Sequence, residues 1–177
     1  MPDFESAITT TYSPNEGATI TLADESATTK TLVRSDQVQF GLSFGASTRV
    51  GEALIAATRP DETLILGDAA AVASAEAALD TGGFTSVIAF THGRSLFRVT
   101  GELVASMLEK VCGLDWSDTM TPNGAVVTAS VALTTCDIIR DDLDDVPSYL
   151  LMCDRSFGQY LFDALIDAGT EFGITVA

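Results

Sequence analysis

Few side chains in this sequence have types and spacings that could do chemistry. His92 is the only histidine, so any serine or cysteine nucleophile that needs an imidazole base must use this one. Such sites require a base, an orienting carboxylate and a nucleophile to converge, and no Gly-x-Ser-x-Gly elbow surrounds Ser95. His92 therefore reads as a solvated turn residue rather than a catalytic one. The aspartates Asp141, Asp142, Asp144 and Asp145 could gather oxygens around Ca²⁺ or Mg²⁺. Without the residue order of an EF-hand loop, they read as a solvated hairpin tip. The sequence holds neither a Gly-x-Gly-x-x-Gly run nor a phosphate-binding Gly-x-x-x-x-Gly-Lys loop, so no dinucleotide is expected on this chain. Cys112, Cys136 and Cys153 are odd in number and irregular in spacing, which supports neither a zinc site nor a disulfide framework. Cys136 and Cys153 lie in apolar, strand-like runs and read as core residues. Trp116 is the only tryptophan. Buried anchoring of its loop is one reading. Because tryptophan and arginine are enriched at interface hot spots, Trp116, Arg94 and Arg155 are also the candidate partner contacts.

The elements that must position these residues follow from periodicity. Val87, Ile88 and Phe90 predict a short buried strand, and Thr91-His92-Gly93 a turn in which Gly93 can take positive φ. From Ser95 to Thr100 the pattern alternates, with Leu96, Arg98 and Thr100 on one side and Phe97 and Val99 on the other. Thr100 is a candidate N-cap for a helix whose face holds Leu103, Val104, Met107, Leu108 and Val111. Upstream, strands are predicted at 18–22, 31–33, 37–44 and 63–66. The 37–44 run has strict period two in Val38, Phe40, Leu42 and Phe44. Residues 47–59 fit a helical face weakened by Gly51, and remain ambiguous. Ala69 to Leu79 is alanine-rich and predicts a helix capped by Asp68 and stopped by Gly82-Gly83. Downstream, Val126 to Ile139 is one long strand or two joined by a bulge. Arg140 to Pro147 forms an exposed tip and Tyr149 to Cys153 the return strand. Asp154 caps a last helix with Phe157, Leu161, Ala164, Leu165 and Ala168 on its apolar face. Phe172 to Val176 offers a final strand. Strands outnumber helices, which gives an α+β fold with a mostly antiparallel sheet and three helices. Residues 1–15 read as a flexible arm, and 16–177 as one domain or two small lobes meeting near 81–92.

Several short motifs together resemble one family. They are His92-Gly93-Arg94, the apolar strand Leu96-Phe97-Arg98-Val99, Gly101, Leu108 and Cys112-Gly113-Leu114-Asp115. They are flanked by Leu64-Ile65-Leu66-Gly67-Asp68 and by the segment from Leu143 to Ala168. The pattern is similar to the γ subunit of heterotetrameric sarcosine oxidase, a distant relative of the folate-binding aminomethyltransferase of glycine cleavage. The resemblance spans about residues 60 to 170 and implies an aminomethyltransferase-like fold. Where the transferases carry an acid pair after Asn-x-Gly-Gly, the matching stretch here is Asn123-Gly124-Ala125-Val126-Val127, followed by Thr128-Ala129-Ser130. None of those three can act as a carboxylate base. Asp141-Asp142, more than ten residues further on, reads as a poor substitute. The resemblance therefore implies a shared fold without the chemistry, with no catalytic, cofactor or metal residues in this chain.

The totals agree with an ordered, water-facing protein. At 177 residues with 46% hydrophobic content and mean hydropathy +0.28, the chain can bury about 70% of its unfolded surface. It holds no apolar run near the ~20 residues of a membrane span. Asp3 and Glu5 stand where a leader would carry positive charge, so a cytoplasmic protein is expected. Against 9 basic residues stand 25 acidic ones, a net charge of −16. Such a surface repels nucleic acid and repels itself, a cost that falls as salt shortens the screening length from ~10 Å to ~3 Å. Because the acids are spread along the chain, adaptation to a salty cytoplasm takes precedence over an acidic docking patch. The expectation is a non-catalytic γ subunit of a flavin-dependent sarcosine, or N-methyl amino acid, oxidase or dehydrogenase. Its α, β and δ partners would carry FAD, FMN, NAD, tetrahydrofolate and zinc. The alternatives are a stand-alone folate-dependent aminomethyl transferase and an acidic interaction module.

Overall fold

The computed structural model describes residues 4–9 and 19–177, so the predicted arm and the start of the first predicted strand fall partly outside the described residues. Among the described residues eleven strands and three α-helices follow in the order β1 (Ile20–Asp24), β2 (Thr29–Ser35), β3 (Ser47–Val50), β4 (Ala53–Arg59), β5 (Glu62–Gly67), α1 (Ala69–Glu76), β6 (Thr85–Ala89), β7 (Arg94–Thr100), α2 (Val104–Glu109), β8 (Val126–Val131), β9 (Thr134–Arg140), β10 (Ser148–Asp154), α3 (Gly158–Gly169) and β11 (Ile174–Val176). They form a six-stranded sheet, β11-β1-β7-β10-β9-β8, and a five-stranded sheet, β3-β4-β5-β2-β6. Every pairing is antiparallel except β1 with β11. Among the described residues no helix is long and apolar enough to cross a membrane.

Alternation along the strands builds the layers. In β7, Phe97 and Val99 point to α2 and α3, where they meet Met107, Leu108, Leu161, Phe162 and Leu165. Leu96 points the other way, to Leu54, Ala56, Leu64 and Leu66 of the second sheet, together with Ile139, Leu150 and Met152. The far side of the second sheet, with Val33, Ile55 and Ile65, is covered by Val72 and Ala75 of α1. The two sheets thus pack face to face, with helices on the outside of each. Phe162, which falls outside the predicted helical face, is buried in this core, whereas Phe157 on that face is 50% exposed. All three cysteines are free and buried. Cys136 and Cys153 lie in the layer beside α2 and α3, as their apolar surroundings predict.

Several predicted elements change. Residues 37–44 make no strand. Phe40 (φ 54) and Gly41 (φ 66) take the left-handed region, and Val38 and Phe44 are exposed. The break is held by Gln39, whose Nε2 donates to Ser35 Oγ and the Asp80 carbonyl while its Oε1 accepts from Asp80 N. A side-chain clamp of this kind competes successfully with strand pairing. Residues 47–59 form the hairpin of β3 and β4, with Gly51 (φ 59) in its turn. The stretch 126–139, predicted as one strand or two joined by a bulge, is two strands joined as a hairpin that turns at Ala132 and Leu133, both with positive φ. Thr100 caps no helix. It remains in β7, its hydroxyl 2.9 Å from that of Ser148, and α2 begins after Gly101 without a side-chain cap. Asp154 pairs with Arg94 instead of capping α3. Asp68 does cap α1, accepting from Ala71 N at 2.7 Å. β6 is a strand, but it lies at a sheet edge, with Val87 48% and Ile88 42% exposed.

Candidate functional site

The layer between the sheets is apolar at its centre and charged at both ends, and these ends hold the residues with chemical potential. At one end a cavity of about 370 Å³ is lined by Ser47, Arg49, Asn123, Gly124, Asp141 and Asp142, among others. Register puts them together. The loop before β8 crosses over the end of β9, where Gly124 N donates to the Arg140 carbonyl and Asp142 N to Asn123 Oδ1. The edge of β3 closes the cavity through Ser47 N to the Gly124 carbonyl at 2.7 Å. The Asn123-Gly124 segment and the Asp141-Asp142 pair, distant in sequence, are neighbours in space. Asp141 and Asp142 thus lie beside Asn123 and Gly124, while Asp137 is the acid opposite Thr128; the exposed tip, however, is corrected. Arg140 and Asp141 are 7% and 8% exposed, and only the turn around Asp144 and Asp145 (φ 49 and 64) is solvated.

Asp141 is held by two guanidinium groups. Its Oδ2 accepts from Arg49 Nη2 at 2.7 Å and Arg98 Nη2 at 3.0 Å. Arg98 in turn donates to Glu25 Oε1, to Ser148 Oγ and to the Asp141 carbonyl. Asp142 is gripped by the fork of Arg140, which also reaches Asp118 and the Thr121 carbonyl. Burial of the Arg140 guanidinium would by itself lower its pKa, but the hydrogen bonds it donates to Asp142 and Asp118 outweigh that and hold it above its usual value. Both carboxylates thus accept charge-assisted hydrogen bonds from arginine. Ser47 Oγ donates to the Gly124 carbonyl, and no hydrogen bond joins it to a carboxylate or imidazole among the described residues.

The opposite end repeats the arrangement with residues the sequence reading missed. Asp137, 4% exposed, accepts from Thr128 Oγ1 at 2.7 Å and faces Arg59 at 3.6 Å. Arg59 and Arg34 both pair with Glu62. Thr128, standing where the resemblance places an acid, therefore hydrogen-bonds a buried carboxylate supplied by the next strand. The available signal was the alternation of β9, in which Asp137 falls on the opposite side from Cys136 and Ile138. Lys30 was missed too. It is fully buried, and its Nζ donates to the Ser26 and Thr28 carbonyls at 2.7 and 3.0 Å. Burial pushes its pKa down to about 8.

His92 lies in a 3₁₀ turn away from both charged ends. Its ring is 5.6 Å from that of Phe4, and no hydrogen bond joins it to a serine or carboxylate among the described residues. Of the candidate partner contacts, Trp116 is 4% exposed and packs edge-on against Tyr149 with centroids 5.1 Å apart, so its ring belongs to the core. Arg94 pairs with Asp154 and sits over Phe90, while Arg155 sits over Phe4 and donates to the Glu5 carbonyl. Each of the three keeps one buried side-chain nitrogen without a partner among the described residues. No group of histidine, cysteine, aspartate and glutamate there is arranged to hold a metal ion.

No protein-family model and no curated protein matches this sequence. Solved structures do. One is a chain of the heterotetrameric sarcosine oxidase from Corynebacterium sp. U-96, determined in complex with pyrrole 2-carboxylate. It is 21% identical, with a TM-score of 0.74 over 90% of this chain and 89% of that one. Another is the glycine cleavage system aminomethyltransferase T from Bartonella henselae, 16% identical with a TM-score of 0.67 over 90% of this chain. The likeness establishes the fold. It is the α+β, aminomethyltransferase-like architecture expected from the motifs. Size separates the two neighbours: this chain spans 48% of the aminomethyltransferase, about half its length, but nearly all of the sarcosine oxidase chain.

Proposed function

We propose that this chain is a non-catalytic, γ-type structural subunit of a heterotetrameric, flavin-dependent oxidase or dehydrogenase acting on sarcosine or a similar N-methyl amino acid. The observation that carries this reading is the reciprocal match in length and fold to one chain of a sarcosine oxidase. The closed ion-pair clusters support it: Asp141 and Asp142 are held by arginine, and where the resemblance places a transferase's acid stands Thr128, which donates to the buried Asp137. In this reading the chain works in the cytoplasm by packing against larger partners. FAD, FMN, NAD, tetrahydrofolate and zinc sit on the α, β and δ chains, and the surfaces around Arg94 and Arg155 contribute to the contact.

Co-expression with candidate α, β and δ chains tests it, read by light scattering and by sarcosine-dependent dye reduction. The expected result is a complex containing one copy of each chain, and omission of this chain should lower the complex's melting temperature or prevent its assembly. Tight folate or flavin binding with turnover by the isolated chain would overturn the reading in favour of a free-standing transferase.

A further inference from the structure

The free edge of the five-stranded sheet is unlike the molecule's other edges. β3, at the opposite side, is closed against β8 by the Ala46–Ala125 bridge, and β11 is only three residues long. Among the described residues β6 pairs with β2 alone. Natural edge strands are blunted by charge, proline or bulges. The segment from Phe84 to Thr91 carries no charge, proline or glycine in a chain of net charge −16. Phe84 is 67% exposed, and Val87 and Ile88 are nearly half exposed. Beside this edge runs a groove of about 480 Å³, between Val72 and Ala73 of α1 and the segment Ala89-Phe90.

Charge decides the occupant. At the Thr85 end, Asp36 N donates to the Phe84 carbonyl and Thr85 Oγ1 donates to the Asp80 carbonyl. At the Ala89 end, Glu76 lines the groove and accepts from Thr31 Oγ1. None of these three carboxylates has a cationic partner among the described residues. The chain has no cation to spare for them. Its 9 lysines and arginines are all engaged internally, in ion pairs except for Lys30 on carbonyls and Arg155 on Phe4 and Glu5. A second copy would bring the same acids and no lysine or arginine left unengaged. Two five-residue strands edge to edge would also bury far less than the ~1,200–2,000 Å² of a stable interface.

We infer that β6 receives, by strand addition, an extended segment of a different protein that is apolar at alternate positions and carries lysine or arginine at both ends. Main-chain hydrogen bonds to the open edge supply the pairing, and apolar side chains fill the groove. The basic flanks meet Asp36 and Asp80 at one end and Glu76 at the other. This surface goes beyond the subunit assignment and does not require the partner to be a flavoprotein.

The probe is a fluorescent peptide, Lys-Lys-Val-Thr-Val-Thr-Val-Lys-Lys, read by polarisation and by hydrogen exchange of the intact protein. Saturable binding with new protection confined to residues 84–90 is expected. The D36N/E76Q/D80N variant should bind about tenfold more weakly, the product of three exposed ion pairs each contributing roughly twofold. A V87K/I88K variant, altered only at exposed positions, should melt like the parent and bind no peptide. Equal binding of a glutamate-flanked peptide, protection elsewhere, or no binding at all would overturn the inference. So would a dimer in light scattering that V87K/I88K abolishes, since the occupant would then be a second copy. None of these readouts depends on amine oxidation, so their failure is distinguishable from failure of the proposed function.

Discussion

Asp141→Asn tests whether the charged end of the inter-sheet layer is structural. In the parent, Asp141 Oδ2 lies 2.7 Å from Arg49 and 3.0 Å from Arg98, with side-chain exposures of 47% for Arg49, 13% for Arg98 and 11% for Asp141. The half-exposed Arg49 contact contributes at most ~1 kcal/mol. The Arg98 contact is nearly dry, and removing one partner of a buried pair costs about 3–5 kcal/mol when the other charge is left alone. Arg98 is not left alone, because Glu25, Ser148 and the Asp141 carbonyl remain. The expected loss is therefore about 2–3 kcal/mol, below that range. For a chain of this size each kcal/mol moves the melting temperature by about 2–4 °C, so a fall of roughly 5–10 °C is expected. Paired thermal and urea melts would measure it. Replacing both partners, Arg98→Met with Asp141→Leu, should recover part of the loss, because the two nearly dry charges go together and the Glu25 and Arg49 they release are partly solvated. An Asn variant that melts within about 1 °C of the parent would refute the reasoning and return Asp141 to consideration as a free acid.

Three further outcomes are expected. Lys30, with its pKa depressed from 10.5 to about 8, should make the protein gain stability as pH rises from about 8 towards 10.5, because the folded chain releases that proton first. Lys30→Met should abolish this rise, worth roughly 3 kcal/mol at most, in urea melts across that pH range. Comparison with the parent at each pH cancels the opposing effect of Cys136 and Cys153, whose buried thiols titrate above their usual value. Gly101→Ala should prevent folding or cost several kcal/mol, measured by urea melts, because Gly101 has φ 148 and an added Cβ would lie 2.1 Å from the Thr19 carbonyl oxygen. Finally, a net charge of −16 predicts a melting temperature that climbs steeply with salt between 0.1 and 1 M, as the screening length drops from ~10 to ~3 Å. A flat salt series would remove the high-salt explanation and leave the acids to docking.

How much of this was legible in the chain depends on the range of the interaction concerned. The alternation in β7, the Asp68 cap on α1 and the burial of Cys136 and Cys153 follow from near neighbours, and residue type with spacing was enough to place them. The same local logic failed at residues 37–44. Their period-two pattern was genuine, but Gln39 reaches Asp80 across the fold and ties the backbone into a turn. It failed again at Val87 and Ile88, since a strand's composition does not reveal whether a neighbouring strand covers it. The site was hidden for the same reason. No spacing rule brings Asn123 beside Asp142, or Arg49 and Arg98 onto one oxygen of Asp141; these contacts arise only when β3, β7 and the end of β9 meet at the mouth of the two sheets. The amino-acid sequence by itself determined an acidic chain of alternating strands with one histidine and no phosphate-binding loop. Tertiary structure alone decided which acids are neutralised and which remain free, because a charge's partners are set by distance through space, and that distance exists only once the sheets have packed.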